Sequence, residues 1–587
     1  MIERKRCGAA CLLALIMMTG NSAWAGQTQS TAPARPPSDN SHVPVISPQV
    51  VAAAHKINAD PVVKAIVKQW NTPENIQERF DQHKELVRIA GPSRHENRRA
   101  TEIMRRMVEE WGFSPNQVTT QKDGYLPGSD VQRVDGLPVY NACVVIKGSY
   151  PESKDAKSYK GQYPKILVEG HIDAVNPATL PPADDPYLPI KLQPMSEPVV
   201  STPEQLAAIS RELHFDASGH IIHDDNYRAA RHYFADKKQA KKANALRMYV
   251  PGFGDDMGNA SNVMMIARAM NAHHVKPVYD IWFCNTAGEE GKGNLAGMKQ
   301  LYGYDQNKGT GTNPLNFVAN FGLDAGGSGT VNFIGSYRFE IKYKAPAQAT
   351  RNGPGAVEAA AASIARIARI KTSWDKDRHS PKVTYTVGTV RCADPEGQGG
   401  VVPSCSIQVD MRAPTDKPLN RIRHKIEPLF QAGVHAENSR HGVADDSPEA
   451  VTTELVWFGD RPAHRNTNPS NVAIQAAWQA AKVVGVDTAS RLDPGSSSLN
   501  DNVPAAIGVP TIDTSIVARA AGGGAHTFYE WGVPGKPALE AKRMQRILTA
   551  ALIAAGFHAA DGTVIEPAAP PIGNRTAELA DHEEPQS

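Results

Sequence analysis

Short apolar runs that each end in a polar cluster recur along the first part of the chain. They are Ile166-Leu167-Val168, Ile281-Trp282-Phe283 and the segment from Phe317 to Leu323. Such runs are typical of strands buried on both faces of an α/β sheet. Between the first two runs, apolar residues return at helical spacing, at Val263, Ile266, Ala267 and Met270. This pattern predicts a helix that packs on the sheet.

Capping signals mark further helices around this sheet. Thr72-Pro73-Glu74 offers an N-cap and a proline in the first turn, and the apolar positions that follow predict a helix up to Gly91. Helical patterns also cover residues 472–484, ended by Gly485, and residues 539–555, ended by Gly556.

The hydrophobic period changes at Gly335. Strict alternation follows at Tyr337, Phe339, Ile341 and Tyr343, and again at Ile407, Val409 and Met411. Two helical patterns lie among these segments, one over residues 357–367 and one over residues 419–430. We therefore predict a β-α-β-β-α module over residues 335–458, which is inserted into the α/β domain.

The two ends of the chain have different compositions from the rest. Residues 1–25 show a basic start, an apolar run and Ala23-Trp24-Ala25, which is typical of a cleavable signal peptide. Residues 26–49 and 563–587 are rich in proline and polar residues, so we expect both to be disordered. The α/β domain is then expected in two parts, over residues 50–334 and 459–562, on either side of the insert.

The signal peptide predicts a periplasmic or secreted protein that is cleaved near Ala25. The chain of 587 residues has a formal net charge of +2, and losing residues 1–25 would leave it close to neutral. Nucleic acid is therefore disfavoured as a partner. The apolar run is shorter than the ~20 residues that span a bilayer, so we expect no membrane anchor.

Four cysteines remain after the signal peptide. Cys392 and Cys405 flank a turn between two strand patterns, so a disulfide between them is expected in an oxidising compartment. Cys143 and Cys284 lie within apolar strand patterns and are expected to be buried thiols.

Five polar clusters carry the candidate chemistry. They are His171-Ile172-Asp173, Asp255-Asp256, Glu289-Glu290, Asp324 and His526. Each one alone is ordinary, but together they follow the ends of predicted strands, where open α/β sheets bind ligands. Imidazole and carboxylate are the usual non-thiolate ligands of zinc, so the set predicts a site for zinc or a neighbouring first-row divalent ion.

These clusters resemble the motifs of the dinuclear zinc peptidase family that includes aminoacylase, peptidase T, bacterial glutamate carboxypeptidase and succinyl-diaminopimelate desuccinylase. The resemblance covers about residues 76–557 and rests on Gly-His-Ile-Asp, Asp-Asp-Met-Gly, Glu-Glu-Gly, Leu-Asp-Ala-Gly and Gly-Ala-His-Thr. It implies an α/β fold: a mixed-sheet catalytic domain with helices on both faces, interrupted by an α+β lid domain of the dimerisation type.

The resemblance also implies a role for each residue. Asp255 would bridge two Zn²⁺ ions, with Co²⁺ or Mn²⁺ as alternatives, and the peptide bond after it would be cis. The other ligands would be His171 and Asp324 for one ion, and Glu290 and His526 for the other. Glu289 would act as the general base, and Asp173 would support the site.

The sequence departs from the family in the insert. Relatives have Gly-Gly-His-Ser after the first lid strand, where this chain reads Ala345 to Thr350, so the histidine that helps to polarise the carbonyl is missing. Gly400 stands where an asparagine is common. Arg351 is the nearest cation that could replace the histidine, and the alternative is that the metal ions suffice.

The resulting expectation is a zinc-dependent exopeptidase or dipeptidase that acts on small peptides. An amidohydrolase of N-acyl amino acids is a second interpretation, and aminopeptidase and carboxypeptidase activity both stay open. A binding protein without turnover is a third interpretation, which the intact ligand set and Glu289 disfavour. A homodimer through the lid is also expected from the resemblance.

Overall fold

The structure is a computed structural model. It describes residues 43–120, 141–150, 163–175, 187–188, 190–194, 211–213, 246–306, 308–324, 329–347, 349, 352–376, 382–393, 402–488, 493–517, 522–527, 529–533 and 536–571. The predicted signal peptide and the turn with Gly400 lie outside these residues. The domain boundaries from the sequence stay a prediction.

Strands form three sheets and two short ribbons. In chain order they are β1 Val118–Thr120, β2 Ala142–Ile146, β3 Lys165–His171, β4 Ile190–Pro194, β5 Arg211–Leu213, β6 Leu246–Tyr249, β7 Asp280–Thr286, β8 Tyr304–Asp305, β9 Thr310–Gly311, β10 Phe317–Gly322, β11 Thr330–Phe333, β12 Gly335–Lys344, β13 Thr384–Ala393, β14 Ser404–Ala413, β15 Thr452–Arg461, β16 Asp493–Ser497, β17 Thr511–Asp513, β18 Gly522–Gly523, β19 Trp531–Gly532, β20 Phe557–His558 and β21 Val564–Ile565.

The described helices, in chain order, are α1 Pro48–Ala59, α2 Pro61–Trp70, α3 Pro73–Arg88, α4 Asn97–Glu109, α5 Gly258–Ala272, α6 Ala296–Leu301, α7 Ala356–Ile367, α8 Ser373–Lys376, α9 Asp416–Arg440, α10 Val472–Val484, α11 Asn502–Ala506 and α12 Pro537–Ala555. None of the described helices combines the length and apolarity that crossing a membrane requires.

An eight-stranded mixed sheet positions the candidate site. Its strand order is β1-β2-β7-β3-β10-β17-β11-β16, and the central strands β7, β3, β10 and β17 run parallel. Every residue of β3, β7 and β10 is buried. Ile166 and Val168 face one hydrophobic core, whereas Leu167 faces another. Both faces are therefore covered, as the continuous apolar runs predict.

The predicted helices form with small differences at their ends. Thr72 caps α3 by accepting a hydrogen bond from the backbone N–H of Asn75. Gly485, in the left-handed region with φ 71°, ends α10. At both ends of the chain, order extends into segments expected to be disordered. Helix α1 begins at Pro48, and Ile565 is only 7% exposed because it packs on the main core.

A second sheet, of order β13-β14-β12-β15, is antiparallel throughout. Its alternate residues Phe339, Ile341 and Tyr343 face helices α7 and α9 in a hydrophobic core separate from that of the first sheet. The predicted alternation and both helices are therefore confirmed. Strand β15 runs on to Arg461, three residues beyond the predicted end of the insert.

A third sheet joins two distant segments of the chain at the candidate site. Its order is β18-β19-β6-β4-β5, and β6 and β19 pair so that Trp531 lies opposite Tyr249. Strand β6 leads to Asp255 and β18 leads to His526. The sheet thereby brings these two predicted metal ligands together.

Both pairs of cysteines form disulfides. The predicted bond between Cys392 and Cys405 joins facing residues of β13 and β14. The expectation of free thiols at Cys143 and Cys284 is wrong, because these residues also form a disulfide. They lie opposite each other on β2 and β7, although they are 141 residues apart in the sequence.

We expect replacement of both Cys143 and Cys284 by alanine to lower the free energy of unfolding by about 5 kcal/mol, the chain-entropy value for so long a loop. The matched pair Cys392 and Cys405 closes a short loop, so its removal should cost about 3 kcal/mol. Denaturant unfolding of both variants measures the difference. An unreduced digest without a peptide that links Cys143 to Cys284 would contradict the prediction.

Candidate metal centre

The five predicted metal ligands converge at the carboxyl ends of the central strands. His171 ends β3, Glu289 and Glu290 follow β7, and Asp324 follows β10. The groups His171–Asp255–Asp324, His171–Glu289–Glu290 and Asp255–Glu290–His526 each place their candidate ligand atoms within 4.8 Å of one another. The fold thus brings together candidate ligands that are far apart in the sequence.

Asp255 occupies the centre of the group. Its Oδ1 lies 3.3 Å from Nε2 of His171, and its Oδ2 lies 3.1 Å from Nε2 of His526. Its two oxygens therefore face two different histidines, as a bridging carboxylate requires. The neighbouring Asp256 turns away, and its carboxylate accepts hydrogen bonds from the backbone N–H of His171 and the side chain of Asn259.

Each histidine has a second carboxylate neighbour. Nε2 of His171 lies 3.9 Å from Oδ2 of Asp324, and Nε2 of His526 lies 3.1 Å from Oε1 of Glu290. Two ligand atoms in tetrahedral contact with one zinc ion are about 3.4 Å apart. The pairing of His171 with Asp324 and of Glu290 with His526 therefore agrees with the two ligand sets that the resemblance implies.

The burial and charge of these donor atoms are those expected of metal ligands. Nε2 of His171 and Oε1 of Glu290 are buried, and their nearest described polar neighbours are other candidate ligand atoms, Oδ1 of Asp255 and Nε2 of His526. Burial, followed by the charges of Asp255 and Glu289, raises the pKa of Glu290 to about 7. Hydrogen bonds with Asp255 and Glu290 raise the pKa of His526 to about 11. This excess of buried negative charge fits two divalent cations.

The peptide bond between Asp255 and Asp256 is cis, as the resemblance implies. The backbone before it is held by Glu530, which is 4% exposed. One oxygen of Glu530 accepts from the backbone N–H of Gly252, and the other accepts from those of Gly254 and Asp255. Glu530 lies four residues after His526 and thus connects the segments of two ligands.

Asp173 holds the other side of the site. Its Oδ1 accepts a hydrogen bond from the backbone N–H of Glu289 at 2.9 Å, and its Oδ2 accepts one from Glu290 at 2.7 Å. Oδ1 also lies 3.3 Å from Nδ1 of His171. Burial alone would raise the pKa of Asp173, but His171 and the N–H of Glu290 lower it. Asp173 therefore orients three predicted site residues.

Glu289 lies next to the ligands and is 3% exposed. Its Oε1 accepts a hydrogen bond from Nη1 of Arg461 at 2.8 Å. Sequence reasoning missed Arg461 because it is 172 residues from Glu289 and lies at the end of a strand of the second sheet. It also missed Glu530 and Asp513, whose Oδ2 accepts from the backbone N–H of Asp324.

Part of the predicted lid chemistry lies outside the described residues. Gln348 and Arg351 are among the residues that the structure does not describe, so Arg351 stays a prediction as the replacement for the missing histidine. Another cation, Arg412 on β14, has a side chain that is 44% exposed. Its hydrogen bond with Asp410 raises its pKa against the effect of burial, and the charges of Glu289 and Glu290 raise it further.

Several solved structures have a similar fold. The di-peptidase Dug1p from Saccharomyces cerevisiae is 14% identical, with 83% of this chain and 98% of that chain covered and a TM-score of 0.50. A dinuclear metal-binding peptidase of the M20 family, YXEP from Bacillus subtilis, is 13% identical, with 82% and 98% covered and a TM-score of 0.43. A hydantoinase/carbamoylase-family amidase from Burkholderia vietnamiensis is 13% identical, with 81% and 96% covered and a TM-score of 0.46.

No protein-family model matches the sequence, and no curated protein sequence matches it. The similarity is therefore one of structure. The predicted α/β fold class is confirmed, and so is the resemblance to the dinuclear metal peptidases at the level of fold.

We expect Asp173→Asn to weaken the binding of a divalent metal ion, with zinc as the probe, by about 10- to 100-fold, the usual cost of losing a group that orients metal ligands. The amide would present N–H groups to one of the two backbone N–H donors that Asp173 now accepts. Competition with a chelator of known affinity measures the change. Asp81→Asn, a surface variant, is the control, and equal zinc affinity in both variants would rule out this role for Asp173.

Proposed function

We propose that this chain, whose fold is that of the dinuclear metal peptidases, is a metal-dependent hydrolase of amide bonds. The observation that carries the proposal is Asp255 facing both histidines with Glu289 beside the same cluster. His171, Asp255 and Asp324 would hold one ion, and Asp255, Glu290 and His526 would hold the other. We propose zinc for both positions, with cobalt or manganese as alternatives.

Two divalent ions bound there would polarise the amide carbonyl and increase the acidity of a water molecule. Glu289 would take a proton from water as the water oxygen adds to the carbonyl carbon, and would return that proton to the amine nitrogen as the C–N bond breaks. Because Oε1 of Glu289 accepts from Arg461, Oε2 is the oxygen that takes the proton. Glu290 serves as a ligand, so the two adjacent glutamates have separate tasks.

Small peptides are the proposed substrates, with exopeptidase or dipeptidase activity. N-acyl amino acids are the second candidate, and both kinds of molecule carry a free α-carboxylate. Arg412 supports a substrate of this charge, because its side chain is partly exposed and the charges of Glu289 and Glu290 act on its pKa, after the larger effect of Asp410. Its Nε and Nη2 bond to Asp410, and Nη1 takes no part in these bonds.

A protein that only binds its ligand has no need of Glu289. The carboxylate of Glu289 is buried and lies within 4.8 Å of candidate ligand atoms of His171 and Glu290. Hydrolysis requires a carboxylate beside the ligand set that can accept a proton, and Glu289 has this position. We therefore favour turnover over binding alone.

We also propose that the protein is exported and begins near Gly26 after cleavage. The composition of residues 1–25 supports export, and so do the two disulfides, because such bonds persist in oxidising compartments. A homodimer through the second sheet remains part of the proposal. Size-exclusion chromatography with light scattering tests the dimer.

The function is tested with purified protein and a panel of free dipeptides, C-terminally amidated peptides, amino-acid anilides and N-acyl amino acids. We expect hydrolysis of at least one class, its loss after thorough chelation, and its return on adding zinc, cobalt or manganese. Glu289→Gln should keep its metal content and lose about 10²- to 10⁴-fold in kcat, the range for removing a general base. Full turnover by the chelated protein would exclude the proposed mechanism.

We expect Arg412→Met to raise KM by about 10-fold or more for substrates with a free α-carboxylate, because one charge-assisted hydrogen bond is lost. KM for the matched C-terminally amidated substrate should change little. The comparison uses the same scissile bond in both substrates. Equal changes in KM for both would remove Arg412 from substrate recognition.

A further inference from the structure

Arg461 is a buried arginine that reaches from the second sheet to the candidate base. It is the last residue of β15 and is only 2% exposed. Nη1 donates to Oε1 of Glu289 at 2.8 Å, and Nη2 donates to the backbone carbonyl of the same residue. The same nitrogen, Nη1, also donates to the carbonyl oxygen of Ser498 at 3.2 Å, which gives the guanidinium a second anchor.

Neighbouring contacts dock strands β12 and β15 on the loop that follows Glu289 and on helix α6. Nη1 of Arg338, on β12, donates to the carbonyl oxygen of Gly291 at 3.1 Å. The backbone N–H of Asp460 donates to Asn294, and Nζ of Lys299 donates to the carbonyl oxygen of Asp460. Among these docking contacts, only that of Arg461 includes the carboxylate of Glu289.

The geometry restricts the side chain of Glu289. A glutamate has several rotamers, and a general base works only when one lone pair faces the water that it deprotonates. The planar guanidinium of Arg461 contacts Oε1 and the backbone carbonyl of one residue at the same time, which fixes that residue at both ends. A lysine, with one ammonium group, could not match this fork.

We propose that Arg461 is a positioning residue, through which the second sheet holds the carboxylate of Glu289 in its working orientation. This inference rests on the proposed function. Arg461 acts through Glu289 and not on the substrate, because both of its Nη groups are occupied within the protein and its side chain is buried.

A double-mutant cycle tests the proposal. Arg461→Met alone should lower kcat by about 10- to 100-fold, the typical effect of a misplaced catalytic group, and change KM by less than about 3-fold. In the Glu289→Gln background the same substitution should lower kcat no further, because the group it positions no longer acts as a base. A fall of equal size in both backgrounds would show a structural role and overturn the proposal.

Arg338→Met is the matched control. It removes another buried arginine that docks the second sheet on the same loop, and Asp410 keeps Arg412 as a partner. We expect kcat to fall by less than about 3-fold, since Glu289 keeps its contact with Arg461. Metal content and the thermal unfolding midpoint, measured for every variant, separate a misplaced base from a lost ion. If Arg461→Met does not fold, Arg461→Lys takes its place and should show the same dependence on Glu289.

A measurement without turnover separates this inference from the proposed function. Crystal structures of the metal-loaded wild type and of Arg461→Met should show one position for the carboxylate of Glu289 in the wild type and a different or mixed one in the variant. An unchanged position in the variant overturns the inference even if the enzyme is active. An inactive wild type that hydrolyses none of the panel overturns the proposed function, whatever the position of Glu289.

Discussion

Asp255, Glu290 and Asp324 place three carboxylates in the protein interior, each no more than 5% exposed. Buried negative charges repel one another and lose their hydration, so they persist only where cations compensate them. The two histidines supply part of this compensation, since their nitrogens lie 3.1 to 3.9 Å from carboxylate oxygens. The three carboxylates can therefore lie this close together only where positive charge compensates them.

A second set of carboxylates keeps the first in place. Asp173, Asp513 and Glu530 each accept hydrogen bonds from backbone N–H groups of segments that carry ligands. Backbone groups at strand ends lose their partners within the sheet, and buried ones need another acceptor. At Asp173, whose pKa the neighbouring His171 lowers, the acceptor is a charged oxygen, which binds an N–H more strongly than a neutral one does. The ligand geometry is thus set by the backbone as well as by side-chain packing.

The sequence predicts the features that depend on local patterns. Apolar runs identify β3, β7 and β10, and short polar motifs identify the five candidate ligands, because both signals lie within a few neighbouring positions. Arg461 and Glu530 carry no such signal, since a lone arginine or glutamate in a polar segment is most often on the surface. Their partners lie 172 and 275 residues away. The pairing of Cys143 with Cys284 likewise depends on the register of two strands, which apolar composition alone does not determine.

The docking of β15 on the loop after Glu289 has a consequence for how this architecture can diverge. A sheet with its own hydrophobic core is, in principle, a module that recombination can exchange for another of similar size. Here Arg461, the last residue of β15, contacts Glu289, which follows a strand of the first sheet. A foreign module could fit the rest of the structure and still leave Glu289 without this partner. A productive crossover would therefore have to fall before Gly459, with Asp460 and Arg461 inherited together with the loop that they contact.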